Sequence, residues 1–170
     1  MPGKSRLLKE KALQKIKQFC GYQERCHYEV KQKLYSLGVW KSDIEEIISE
    51  LIQENYLNEE RFAIQFAGGK FRMKQWGKVK ISHELKQKQI SQYCILKALN
   101  SIDDEDYQNT FRKLAFEKWK TLKGGKNIFI KKRKMMDYLI QKGYQSDMVN
   151  TLLNSPNQLK EHPSNEENNI

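Results

Sequence analysis

The chain is 170 residues long, with 38% hydrophobic and 31% charged residues but only nine Gly and three Pro, which excludes a β-sandwich or a disordered chain and leaves a helix-rich globular protein. Lys and Arg outnumber Asp and Glu by 31 to 21, for a formal charge of +10, so the surface field favours polyanions or acidic protein faces. Three cysteines (Cys20, Cys26, Cys94), no secretory apolar segment near the basic start and no apolar run near the ~20 residues that cross a bilayer point to free thiols in a cytoplasmic protein without membrane contact.

Residues 1–5 are expected to be disordered. A helix is then predicted over about 8–20, carrying Leu8, Ala12, Ile16 and Phe19 on one face, and a connector runs from Gly21 to Cys26. Val30, Leu34 and Leu37 follow at i, i+4, i+7, and Ile44, Ile47, Ile48, Leu51 and Ile52 at i, i+3, i+4, i+7, i+8, the spacing of two amphipathic helices. The turn between them carries Gly38, suited to the left-handed position after a helix. Ser42 is expected to cap the second helix, with Glu45 completing a capping box.

The same pattern recurs twice. An offset of 51 carries Val30, Leu34, Val39, Ile44, Ile47 and Ile48 onto Ile81, Leu85, Ile90, Ile95, Ala98 and Leu99, and a further 54 lands on Met135, Leu139, Tyr144, Val149, Leu152 and Leu153. The turn position is Gln89 in the second copy and Gly143 in the third, and Ser91 and Ser146 are expected to open the following helices. Each copy has a leading helix, predicted at 59–73 (Phe62, Phe66, Met73) and 104–122 (Phe111, Ala115, Trp119, Leu122). Connectors Lys74–Gly77 and Lys123–Asn127 differ in length. The expected organisation is all-α: three tandem three-helix repeats, 6–57, 58–102 and 103–154, forming an elongated, curved array. A polar tail over 155–170 is expected to be disordered.

Charge is unevenly placed along this frame. Lys118, Lys120, Lys123, Lys126, Lys131, Lys132, Arg133 and Lys134 form a run without an acidic residue, and Arg72, Lys74, Lys78, Lys80, Lys86 and Lys88 surround Trp76 with Glu84 alone against them. Asp43, Glu45, Glu46, Glu50 and Glu54 make the helix after Gly38 acidic. The two basic clusters suit a phosphate backbone or an acidic groove, against the plainer role of a solvated surface. Trp40, Trp76 and Trp119 fit a helical core or loop anchor better than base-stacking platforms, and Trp76 is the one to test.

Catalytic signatures are missing. Gly125-Lys126-Asn127 and Gly69-Lys70-Phe71 lack the earlier Gly and the following Ser or Thr of a phosphate loop. Gly68-Gly69 is expected to mark a close helix approach or a kink. Cys20, Cys26 and His27 lack paired metal-ligand spacing, and no nucleophilic triad is signalled. No catalytic, cofactor or metal residue is assigned.

Three segments resemble the RecX family, whose members modulate RecA, the filament-forming recombinase. Arg25-Cys26-His27-Tyr28-Glu29-Val30 with Lys33-Leu34 and Gly38 looks like the family's Arg-Ser-x-x-Glu-Leu and Lys-Leu-x-x-x-Gly opening. Asn55-Tyr56-Leu57-Asn58-Glu59-Glu60-Arg61-Phe62-Ala63 is similar to its Gly-Tyr-Leu-Asp-Asp-x-Arg-Phe-Ala junction, and Gly77, Ile81, Glu84-Leu85, Lys88 and Ile90 resemble its Gly-x-x-x-Ile-x-x-Glu-Leu-x-x-Lys-Gly-Ile segment. Cys26, Asn55 and Gln89 depart from the family's Ser and two Gly. The resemblance implies a monomeric, non-enzymatic regulator of DNA repair and recombination. It would lie in the groove of a RecA filament on single-stranded DNA, restraining ATP hydrolysis, strand exchange and filament extension. The residues facing RecA or DNA would then be Arg72, Lys74, Lys78, Lys80, Lys86, Lys88, Lys126, Lys131, Lys132, Arg133 and Lys134, with Arg25 and Lys33 weaker. A stand-alone basic helical protein that binds nucleic acid is the alternative.

Overall fold

The computed structural model describes residues 2–122 and 127–155, with side chains from residue 8 onward. Among the described residues the chain is all-helical: α1 (Pro2–Tyr22), α2 (His27–Ser36), α3 (Lys41–Gln53), α4 (Glu59–Lys74), α5 (Lys78–Gln87), α6 (Gln92–Asn100), α7 (Asp104–Thr121), α8 (Ile128–Lys142) and α9 (Ser146–Asn154). No described helix is long and apolar enough to cross a membrane. α1 starts at Pro2, so residues 2–5 are helical and not disordered as expected. A proline at the first helical position gives up an N–H that has no intrahelical partner anyway. Apart from Ser155, the tail expected to be disordered lies outside the described residues, as does Lys126.

The three-copy register organises the core. Every position aligned by the offsets is buried except Leu99, which is half-buried. Removing each Val, Leu, Ile or Met side chain buried there from water contributes roughly 1.5–3 kcal/mol. Among the leading-helix residues, Leu8 and Met73 depart from expectation. They are 40% and 81% exposed, and Ala63, Ala67 and Phe71 fill α4's buried face.

Helix ends repeat too. Gly38, Gln89 and Gly143 have φ of +76°, +59° and +94°, and in each copy the next residue donates its N–H five residues back: Val39 to Leu34 O at 3.2 Å, Ile90 to Leu85 O at 3.1 Å, Tyr144 to Leu139 O at 3.1 Å. This is the Schellman closure, with an apolar pair sealing each end. Gln89 thus takes the left-handed backbone despite its side chain. The expected serine caps hold only at Ser91, whose Oγ accepts from Cys94 N–H at 3.4 Å. The residues preceding α3, α6 and α9 are Trp40, Ser91 and Gln145, and these are the ones in register. Ser42 and Ser146 lie inside their helices, and Glu45 pairs with Lys31 at 2.8 Å, so the capping box does not form.

The chain divides into two compact units, residues 1–66 with 84–98 and residues 67–83 with 99–170. In the first, α1, α2 and α3 enclose Ala12, Ile16, Cys20, Val30, Leu34, Ile44, Ile47, Ile48 and Leu51, closed by Val39 and Leu57. Its acidic helix is not free: Lys17 meets Glu50 at 3.2 Å and Glu54 at 2.7 Å, and Lys9 meets Glu46. In the second, Tyr144 packs at 5.0 Å from Phe111 and 5.3 Å from Tyr107. Tyr107 Oη accepts the Lys78 N–H and donates to Gln145 Oε1, both at 2.9 Å. Gly77 and Val79 donate their N–H groups to Lys142 O at 2.9 Å and Gly143 O at 3.0 Å, so the α8 carboxyl end closes on the opening of α5. The close backbone approach expected at Gly68-Gly69 is found here instead. A Cβ on Gly68 would first meet the flexible end of the Arg72 side chain and on Gly69 nothing within 4 Å, whereas on Gly77 it would stand 2.1 Å from Gly143 O.

Candidate binding surface

The basic residues singled out from the sequence fall into two physical kinds. In the first unit, Arg25 and Lys88 are joints. The Arg25 guanidinium lies 4.0 Å from the Phe19 ring centre and 4.0 Å from Glu29 Oε2, and Lys88 reaches Glu29 Oε1 at 2.7 Å while lying 5.7 Å from the Phe66 ring. Both are largely covered. Lys33 and Lys86 are exposed. The polar residues of the 55–63 segment are joints as well. Asn58 caps α4 by accepting the Arg61 N–H at 2.8 Å. Arg61 bonds Asn55 Oδ1 at 2.9 Å and Asn55 O at 3.0 Å and pairs with Glu24, which fixes a second left-handed turn at Asn55, φ +61°. Glu59 accepts from Ser91 Oγ at 2.7 Å, and Glu60 pairs with Lys97 at 3.1 Å.

In the second unit Lys78 is also engaged, with Asp104 at 2.9 Å and the Tyr107 ring at 4.9 Å. The α5 opening would otherwise be an anion seat. Its first three N–H groups, from Gly77, Lys78 and Val79, are already spent on Lys142 O, Tyr107 Oη and Gly143 O. Around it, Lys80 and Lys70 lie 4.6 and 5.0 Å from the half-buried Trp76 ring. Arg72 and Lys74 are exposed.

α7 and α8 hold their cations differently. Lys118 lies 4.7 Å from the Tyr138 ring, Lys120 4.3 Å from Phe116 and Lys131 4.2 Å from Trp119. Lys142 donates to Lys74 O at 3.2 Å. A ring face orders an ammonium without neutralising it, so this surface keeps its charge. Lys132 and Lys134 are half-buried and exposed, and Arg133 meets Asp137 one turn on at 3.2 Å. Trp40 breaks with its expected role. Its carbonyl accepts from Asp43 and Ile44, but the residue is 70% exposed, because the register places it as a helix cap and not on a buried face.

All three thiols are buried and free. Burial pushes the Cys20 thiol up to about 11 and raises those of Cys26 and Cys94, the opposite of an activated nucleophile. Among the described residues no group of three or more His, Cys, Asp or Glu is placed to hold a metal ion.

Comparison with known proteins adds a frame to this geometry. Residues 58–99 match the family model described as RecX, second three-helix domain, and residues 104–153 the one described as RecX, third three-helix domain. A regulatory protein RecX from Clostridium perfringens (strain 13 / Type A) is 32% identical over 126 residues, 74% of this chain and 58% of that protein. One from Bacillus cytotoxicus is 26% identical over 159 residues, 93% of this chain and 58% of that protein. The chain therefore spans about 58% of the length of these relatives. Among solved structures, the fold is similar to a crystal structure of regulatory protein RecX, with TM-score 0.79 and 20% identity over 89% of this chain and 73% of that one. It is also similar to the crystal structure of RecX from Lactobacillus salivarius, with TM-score 0.74 and 23% identity over 88% of this chain and 97% of that one.

Proposed function

The chain belongs to the RecX family, and from that premise we propose that it is a cytoplasmic, non-enzymatic regulator that binds the RecA filament on single-stranded DNA and restrains its ATPase, strand exchange and extension. The observation that carries this reading is the α7–α8 surface, where Lys118, Lys120 and Lys131 rest on aromatic rings in place of carboxylates. A surface of that kind attracts an acidic protein groove or a nucleic-acid backbone by charge. A tandem three-helix repeat presents like units in series, which suits contact with the repeating subunits of a polymer. Of the cations named from the sequence, Arg72, Lys74, Lys80, Lys131, Lys132, Arg133 and Lys134 stay in the proposed face, and Arg25, Lys78 and Lys88 act through the fold.

The decisive measurement is a titration of the full chain into RecA hydrolysing ATP on single-stranded DNA, with binding to bare DNA followed in parallel. Suppression at concentrations that leave bare DNA unbound supports the reading. Coating of bare DNA with a steep salt slope and no need for RecA supports the second reading, a stand-alone nucleic-acid binder. Trp76, half-buried between Lys70 and Lys80, is what favours that second reading.

A further inference from the structure

Register with α2 and α5 would open α8 at residue 132, yet α8 opens at Ile128, about one turn earlier. Asn127 caps the added turn, accepting from the Phe129 N–H at 3.0 Å. Phe129, Met136 and Ile140 stand at i, i+7 and i+11, which lines them up along one side of the helix. The core side, Met135 and Leu139, is fully buried, while Phe129 is 79% and Ile140 41% exposed and Met136 is half-buried. Lys132 and Arg133 flank this stripe. Among the described residues no carboxylate pairs with Lys132, and Arg133 meets Asp137 on the same helix. The first turn of α8 has no acidic residue, so the positive end of the helix adds to the cationic border.

We propose that the Phe129–Met136–Ile140 side of α8 is a docking face that enters an apolar groove with an acidic rim on a partner protein, RecA if the function proposed above holds. The mode is a helix laid in a groove, with anchors at helical spacing and charge fixing the orientation. Charge complementarity selects an acidic rim. A bilayer fits less well, because the stripe holds three apolar anchors and Asp137 lies beside it, whereas interfacial helices carry a dense apolar face with Lys and Arg opposite.

The test uses the full chain in the RecA ATPase assay. A Phe129→Ser, Ile140→Ser double variant is expected to need at least about tenfold more protein for half-inhibition, the loss typical of removing central apolar anchors, with unchanged circular dichroism and unchanged affinity for bare DNA. Lys132→Glu is expected to do likewise. Tyr22→Ser, which removes an 84% exposed aromatic ring from α1, is expected to inhibit as the parent does. Full inhibition by the double variant overturns the docking face while leaving the proposed function standing. A parent chain that fails to inhibit RecA overturns both. Loss of binding to phosphatidylserine vesicles with inhibition intact assigns the face to a bilayer, and an equal loss of bare-DNA binding assigns it to nucleic acid. Either result overturns the proposal.

Discussion

Two glycines and one glutamine show how much single residues carry. Gly143 has φ +94° and a Cβ there would stand 2.2 Å from Lys80 Cβ, so both the backbone and the space demand glycine. Gly143→Ala or Gly77→Ala is expected to cost about 2–4 kcal/mol, the range of strain and overpacking, and thermal melting followed by circular dichroism would register it. Gln89 has the same backbone in an exposed position, and there the sign reverses. Gln89→Gly is expected to stabilise by about 1 kcal/mol, since it removes the left-handed penalty and loses no packing. The buried acids give a pH prediction. Burial holds the Cys20 thiol up at about 11 and the Tyr107 hydroxyl up at about 12, against ordinary values of 9.0 and 10.0, and raises Tyr144 as well. Between the ordinary and raised values the folded chain binds more protons than the unfolded one, so stability is full below about pH 9 and falls as pH rises toward 12. Melting temperature measured from pH 7 upward should be flat and then decline. Thiol reagents at pH 7.5 should reach the three cysteines only after unfolding.

At the scale of helices, the apolar spacing made the fold legible, because burial follows a period that the sequence displays directly. The serines misled because Ser42, Ser91 and Ser146 are not spaced by the repeat, whereas Trp40, Ser91 and Gln145 are, and the backbone obeys the register before it obeys cap preference. Met73 misled because the buried side of α4 is drawn by alanines, Ala63 and Ala67, with Phe71. The proposed face was legible only as a list of cations. Lys88 finds Glu29 and Lys78 finds Asp104, partners far apart along the chain, and no local pattern announces such pairs. The segments that resemble the family turned out to be joints, with Arg61, Glu59 and Glu29 holding turns and helix starts. The face that remains is tested on α8. Changing Lys131, Lys132, Arg133 and Lys134 together to Glu removes one ring contact and one exposed pair with Asp137, each worth under about 1 kcal/mol. Circular dichroism should stay the same while the proposed inhibition of RecA is lost. By contrast Leu139→Asp, which puts a carboxylate at a fully buried core position, should unfold the region around it.

Across the whole molecule the charge is sorted between the two units. The second holds 17 basic against 10 acidic residues and so +7 of the net +10. In the first unit Lys9, Lys17, Lys31, Lys88 and Lys97 each meet a carboxylate. The field of those five is short-ranged, since each pair cancels within a Debye length of about 8 Å at physiological salt. The unmatched cations of α7 and α8 act further out and should set both the rate of encounter with an acidic partner and its salt sensitivity. If they do, raising salt from about 50 to 200 mM should weaken the proposed inhibition of RecA steeply for the parent chain. Lys118→Glu with Lys132→Glu should flatten that slope. Lys11→Glu with Lys15→Glu, the same charge change on exposed positions of α1, should leave it as it was. Equal slopes for the two double variants would mean that net charge alone governs the association, and the α7–α8 surface would lose its special standing.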